Sequence, residues 1–272
     1  MTDKASLFTA HKAYVEQVFA QPQSDHDCAE QLAIDIADLL RHRLSIAESA
    51  SIAFSGGSTP ALMFQALARQ SLDWHRVDVT LVDERCVEET SARSNAKLLK
   101  ESCLDLLATP PVFYPLYVAS ESDSDREQRL LAIKQPFDLV HLGMGNDAHT
   151  ASFFPDAENI AEMLDHSAVS NMMQTQSAAS QEPRLTWSLK ALLNARQIVL
   201  QIKGAEKQQV FENVIHDYLS AANDTQRAAV KQRLPIAAVL EGSRLSRLQS
   251  EYAESSAQLT PFSIYFAADA TE

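Results

Sequence analysis

His149 stands two residues after Asp147, in the run Gly143-Met144-Gly145-Asn146-Asp147-Ala148-His149-Thr150. An imidazole can take and return a proton near neutral pH, and a neighbouring carboxylate can orient it or raise its basicity. A second cluster, Ser55-Gly56-Gly57-Ser58-Thr59-Pro60, combines glycines with three hydroxyls. Glycines let backbone N–H groups converge on one concavity, and a following helix adds unpaired N–H donors. Such a turn suits an anion, most simply a phosphate; its plain alternative is a tight turn with a helix cap. Asp83-Glu84-Arg85 offers a guanidinium for a carboxylate, a phosphate or a developing oxyanion, where the plain alternative is a surface ion pair. Arg184 follows a proline, and Lys207 lies in the first turn of an expected helix, where a cation opposes the helix dipole.

These residues need elements to carry them. The chain has only six glycines, where a usage of roughly 7% would give about nineteen. Four of the six follow apolar runs that read as strands, at strand-to-helix turns where α/β proteins bind ligands. Strands are expected at 51–54, 77–82, 112–118, 137–142, 183–186, 197–202 and 235–240, the last as the final central strand, with an edge strand at 261–267. Helices are expected at 7–20, 28–49, 60–70, 95–107, 123–134 and 204–220, with Thr59 as N-cap and Pro60 at the first helical position. Residues 187–193 read as one or two helical turns, and 156–182 as loop. Alternating elements with continuously apolar strands predict an α/β fold, a mostly parallel, doubly wound (Rossmann-like) sheet with helices on both faces. With no repeat or linker, residues 1–272 read as a single domain, with 1–26 as a peripheral helix and 245–272 as a C-terminal helix or edge strand.

Composition narrows the partners. Apolar residues make up 46%, enough for a sizeable core, and the formal charge is −13 with no basic block. Nucleic acid and anionic membranes are poor partners for such a chain. The three cysteines, Cys28, Cys86 and Cys103, form neither a disulfide framework nor a CxxC metal signature. No apolar stretch reaches the length of a membrane span. A cytoplasmic protein without metal is expected; the sequence leaves its oligomeric state open. The run 143–148 matches a loose G-x-G-x-x-A dinucleotide pattern, but mid-chain and without the following helix and acid that give the pattern meaning. Of the other histidines, His11, His26, His42, His75, His166 and His216 read as solvated or packing residues, and His141 as a hydrogen-bonded core side chain.

Taken together, SIAFSGGSTP (51–60), VTLVDERCV with Ser94-Asn95 downstream, FDLVHLGMGNDAHTASFFP (137–155), PRLTWSLKALLNA (183–195) and IKGAEK (202–207) resemble the 6-phosphogluconolactonase family. The five segments come in the family's order over about residues 50–240. The related glucosamine-6-phosphate deaminases share the SGGSTP-like loop; Arg85 and Thr150-Ala151-Ser152 favour the lactonase branch. The resemblance implies hydrolysis of 6-phosphoglucono-1,5-lactone to 6-phosphogluconate, in the oxidative branch of the pentose phosphate pathway, with no cofactor. It implies His149 as base and later acid, Asp147 orienting it, Arg85 at the oxyanion or sugar-acid end, and Asp83 holding Arg85. Ser55, Gly56, Gly57, Ser58, Thr59, Arg184 and Lys207 would bind the phosphate, and Asn95, Gly143 and Gly145 complete the substrate-binding set. An amino-sugar-phosphate deaminase or isomerase, and a sugar-phosphate sensor without catalysis, remain alternatives. Family members carry glycine where this chain has Ala148; if that position needs a positive φ, alanine is strained there.

Overall fold

The computed structural model describes residues 4–178, 180, 182–245 and 260–269. The chain runs α1 (Lys4–Phe19), α2 (Asp25–Ile46), β1 (Ala50–Phe54), α3 (Ala61–Ala68), β2 (Val77–Leu81), β3 (Asp83–Arg85), α4 (Asn95–Ser102), β4 (Val112–Tyr114), α5 (Asp123–Leu130) and β5 (Leu139–Leu142). It continues α6 (Ile160–Met163), β6 (Met172–Thr175), β7 (Arg184–Trp187), α7 (Leu189–Leu193), β8 (Ile198–Lys203), α8 (Ala205–Ser220), α9 (Asp224–Arg233), α10 (Ile236–Glu241), β9 (Ser243–Leu245) and β10 (Thr260–Ala267).

Seven strands form one sheet in the order β4-β2-β1-β5-β8-β10-β9, with every neighbouring pair parallel. β1 and β5 are buried along their whole length, which is why their sequences are mostly apolar rather than alternating. Consecutive residues of β10 show how both faces are covered. The Tyr265 hydroxyl donates to Asp35 of α2 at 2.5 Å, while the Phe266 ring meets Phe19 of α1 with centroids 4.8 Å apart. Adjacent strand residues point to opposite faces, so α1 and α2 lie on opposite sides of the sheet. From β1 the chain winds outward through β2 to β4; from β5 it winds the other way through β8 to β10. The doubly wound architecture holds, and its switch point lies between β1 and β5.

Four parts of the chain differ from the sequence expectation. Residues 235–240 form α10, not a central strand. Pro235 stands at its cap with helical dihedrals (φ −60°, ψ −27°), and the residues after it are buried all round. A uniformly apolar run of this length has no period to separate strand from buried helix. β10 therefore takes the place beside β8 and is flanked by β9, so it is not an edge strand. The helix expected within 245–272 falls on 246–259, outside the described residues. The segment 156–182, read as loop, carries α6 and β6. β6 joins β3 and β7 in a second, antiparallel sheet of order β3-β7-β6. Four residues are too few to show an alternation, and β6 exists because β7 pairs with it. The helix expected at 95–107 stops at Cys103, whose φ of −143° leaves the helical region, and one 3₁₀ turn follows.

At the N-terminal edge of the central strands, the buried Asp138 carboxylate accepts the Ser51 N–H at 2.9 Å and lies 2.9 Å from Arg43 Nε and 3.2 Å from Arg196 Nε. Burial raises its pKa, and these partners oppose the rise. These contacts tie Arg43 of α2 and Arg196 to that end of the sheet, and both glycine turns lie at the opposite end.

Candidate active site

The two glycine turns leave β1 and β5 on either side of the switch point, where the crevice of a doubly wound sheet opens. The Ser55 N–H donates to the His141 carbonyl at 2.9 Å, extending the β1–β5 pairing to the mouth of the first turn. Pro60, not Thr59, then occupies the cap of α3, and no side chain caps it. The turn runs one residue further than expected, so the hydroxyls of Ser58 and Thr59 stay on the pocket wall without a protein partner among the described residues. Gly56 is required by a close approach: a Cβ there would overlap the Asn95 side chain.

The second turn shapes the histidine. His149 Nδ1 lies 2.5 Å from Asp147 Oδ1, which also accepts the His149 backbone N–H at 3.2 Å. Against a carboxylate, Nδ1 carries the hydrogen, and Nε2 of the neutral ring keeps its lone pair. Burial alone would raise the Asp147 carboxyl; the hydrogen bond and charge of His149 outweigh it and hold the carboxyl below its ordinary value. The imidazole lies flat on Gly145, where a Cβ would overlap it, with the Phe154 ring 4.8 Å away. Ala148 does adopt a positive φ, 62°, and Ala151 follows at 47°. What holds the turn there is visible: Ala148 N–H donates to Gly145 O at 3.1 Å, Thr150 Oγ1 to Gly143 O at 2.8 Å, and Ile236 N–H to Ala148 O at 3.1 Å. The last donor is a first-turn N–H of α10, one of those a helix leaves unpaired.

One pocket of about 230 Å³ joins Ser55, Gly56, Gly57, Ser58 and Thr59 with Gly143, Gly145, His149 and Lys207. Lys207 enters from the first turn of α8, and burial lowers its pKa, a nearby Glu206 opposing. Met144, Ala151, His141 and Gln201, none of them expected in the site, complete the wall and floor. His141 is the hydrogen-bonded core residue expected of it, with Nε2 3.1 Å from Gln201 Oε1.

Asp83, Arg85, Asn95 and Arg184 gather in a flanking cluster behind Gly56 and Phe154. Arg85 and Arg184 sit directly opposite each other on the β3–β7 ladder. Like charges so placed repel, and two acids offset them. Glu182 lies 3.4 Å from Arg85 Nε and 2.8 Å from Arg93 Nη2. Asp83, which the sequence assigned to Arg85, instead lies 3.8 Å from Arg184 Nη1 and accepts the Ser152 hydroxyl at 2.6 Å. Asp83 and Arg85, two apart, share one face of β3 with Arg184 of the neighbouring strand, and Arg85 turns away from Asp83 toward Arg93, whose carbonyl it meets, and Asn95. Burial, and then the Arg85 charge, lower the Arg184 pKa, while Asp83 opposes. Arg184 also stacks over Phe154, 5.7 Å from the ring centroid. Glu84, which sequence reasoning passed over, organises the cluster. Its buried carboxylate accepts N–H groups of Arg85, Asn95 and Ala96 at 2.7, 2.9 and 2.7 Å, and the Ser94 hydroxyl at 3.1 Å. Glu84 lies on β3, well before Ser94 in the sequence, and only the fold brings it to the start of α4.

The chain's likeness to known proteins fits this geometry. A family model described as glucosamine-6-phosphate isomerases/6-phosphogluconolactonase matches residues 23–247. A 6-phosphogluconolactonase of Rhizobium meliloti (strain 1021) is 39% identical over 197 residues, 71% of this chain and 84% of the relative. One of Mesorhizobium japonicum is 40% identical over 193 residues, 68% of this chain and 81% of the relative. The crystal structure of a 6-phosphogluconolactonase from Shewanella baltica OS155 superposes with a TM-score of 0.74 at 31% identity, over 90% of this chain and 95% of that one.

Two outcomes follow from the strained and buried groups. Ala148→Gly should raise the unfolding free energy by about 1 kcal/mol by removing a left-handed alanine; denaturant titration checks it, and an unchanged or lower value would mean the turn carries no strain. Burial lowers the His141 pKa from 6.5 to about 4, the Gln201 hydrogen bond opposing. The unfolded chain therefore binds this proton at a higher pH than the folded one, and stability present above pH 6.5 is lost as pH falls toward 4. The loss due to this ring is about 3 kcal/mol, so the stability of His141→Leu should fall less than that of the natural chain over that range.

Proposed function

Because the chain belongs to the glucosamine-6-phosphate isomerase/6-phosphogluconolactonase family, we propose that its pocket hydrolyses 6-phosphoglucono-1,5-lactone to 6-phosphogluconate. The observation that carries this reading is the convergence of the Asp147–His149 pair, the hydroxyl-rich 55–60 turn and Lys207 on one pocket.

Opening a lactone with water needs a base, a partner for the oxyanion, and a proton for the departing ring oxygen. His149 Nε2 takes a proton from water as the water oxygen bonds to C1. Asp147, accepting the Nδ1 hydrogen, stabilises the imidazolium. The carbonyl electrons move to oxygen, and Arg85 is the guanidinium assigned to the oxyanion or sugar-acid end. When the bond from C1 to the ring oxygen breaks, His149 returns its proton to that oxygen, leaving a hydroxyl and a carboxylic acid that ionises. Lys207 and the N–H and hydroxyl donors of residues 55–59 hold the phosphate, and Arg184 adds its charge from the flanking cluster. The phosphate is remote from C1, so its binding energy positions the lactone for attack. The three cysteines are free, and no described helix is long and apolar enough to cross a membrane; both support a cytoplasmic place for this chemistry.

A lactonase assay on freshly made 6-phosphogluconolactone, with a blank for spontaneous decay, tests the reading; no acceleration over the blank, or ammonia released from glucosamine 6-phosphate instead, would overturn it. His149→Ala should lower kcat by roughly 10²–10⁴-fold with little change in phosphate affinity. Lys207→Ala and Arg184→Ala should mainly raise KM for the phosphorylated lactone. Glucono-1,5-lactone without phosphate should be a much poorer substrate, and equal turnover of the two would remove the phosphate assignment.

A further inference from the structure

The centre of the parallel sheet contains a polar pair that the proposed chemistry leaves unused. His141 on β5 and Gln201 on β8 are 1% and 3% exposed, among strands otherwise apolar. The β5–β8 register pairs His141 with Val199; two residues on, Gln201 points to the same face. Their side chains meet at 3.1 Å, His141 Nε2 to Gln201 Oε1. Buried polar groups are unfavourable unless bonded, yet both residues line the pocket floor beneath the 55–60 turn and Lys207.

The polarity of the bond is informative. Gln201 Oε1 only accepts, so His141 Nε2 carries the hydrogen and donates it. The other ring nitrogen, Nδ1, is a bare lone pair, buried without a partner. The hydrogen bond fixes which end of the amide faces the imidazole, and so directs the Gln201 Nε2 hydrogens away from it. That nitrogen has no partner among the described residues and, unlike His141 Nδ1, is not sealed from the pocket.

Resting on the lactonase reading of the same pocket, we propose that Gln201 is a substrate-binding residue. Its amide N–H groups donate to an oxygen of the sugar phosphate's phosphoryl group from the pocket floor, and His141 is a positioning residue that holds the amide in that orientation. The donor set around the phosphate is then mixed: backbone and hydroxyl groups of the turn, the ammonium of Lys207, and one neutral amide locked from below. A neutral donor gives direction without adding a charge to the centre of the sheet, where an unpaired cation would be costly. Phosphate binding acts alike in ground and transition states, so the amide should govern KM and leave kcat alone.

The test is Gln201→Met, which keeps length and shape and removes the donor, read with the phosphorylated lactone and with inorganic phosphate as a calorimetric probe. A hydrogen bond to a charged group predicts a rise of about tenfold or more in KM and in the phosphate Kd, with kcat within twofold and turnover of unphosphorylated glucono-1,5-lactone unchanged. His141→Leu should give a smaller rise in the same two constants. The double variant should be no worse than Gln201→Met alone, because the histidine acts only through the amide. Should methionine prevent folding, Gln201→Asn keeps the amide but withdraws it by one methylene, and the same rise is expected. An unchanged KM and phosphate Kd in a folded Gln201 variant, an equal loss on both lactones, or additive losses in the double variant would overturn the proposal. Absence of lactonase activity in the natural chain would defeat the parent reading instead, while the phosphate titration would still decide the role of Gln201.

Discussion

In a parallel sheet all strands deliver their C-terminal ends to the same edge, and everything the site does depends on that constraint. Phe54 of β1 pairs with Leu81 of β2 and with His141 of β5, and Leu142 of β5 with Leu200 of β8. These registers bring residues 55, 82, 142 and 200 out side by side, though they are far apart in sequence. Reversing direction at the β1–β5 boundary leaves no crossover helix above it. The glycine turns can therefore face each other across an open crevice. At the other end of the sheet Asp138 ties down its two arginines, and the glycine turns lie at the opposite edge.

The constraint brings the loops together but does not shape them; that falls to buried polar groups just outside the pocket. Glu84 gathers three backbone N–H groups and a hydroxyl at the start of α4, which fixes Asn95 behind Gly56 and close to Arg85. Burial raises the Glu84 pKa even against those hydrogen bonds, so the carboxylate is held at a cost that its partners offset. On the other side of the crevice, α10 supplies one otherwise unpaired N–H to the Ala148 carbonyl and helps keep an alanine in a region that favours glycine. The imidazole can lie on Gly145 only because that turn is held. The geometry of the Asp147–His149 turn and of the Arg85–Asn95 flank is thus fixed from outside by a helix start on each side.

This division explains what could be read from the chain directly. The turns at 55–60 and 143–150 were legible because glycine is scarce and sits after apolar strands, and the Asp147–His149 spacing survived intact as a 2.5 Å contact. The positive φ at Ala148 was foreseeable from the residue it replaces. The ion-pair partners were not: whether Asp83 meets Arg85 or Arg184 is decided by the antiparallel β3–β7 ladder, and β6, which completes that sheet, is too short to leave a pattern. The helix at 236–241 was misread for a related reason, since burial on every side erases the period that separates helix from strand. Gln201 was invisible as a site residue because a lone polar residue in an apolar strand has no sequence neighbour to explain it. Only the β5–β8 register sets it beside His141.

The ammonium on the pocket wall is opposite in sign to the net charge of the whole molecule. The chain carries a formal charge of −13, yet the crevice and its flank collect Lys207, Arg85 and Arg184. Burial lowers the proton affinity of Lys207 and Arg184, which means that water no longer solvates these cations fully. The surface acids do little to compensate them, since screening confines exposed charges to about 8 Å at physiological salt. In the proposed reaction a phosphate entering the pocket supplies a counter-charge to Lys207, and what it gains there is fixed to the end of the sugar away from C1. The cations and hydroxyls can then hold the ligand without competing for the reacting carbon. In the proposed reaction His149, with Nδ1 held by the Asp147 carboxylate, keeps Nε2 free to take a proton from water and return it to the ring oxygen.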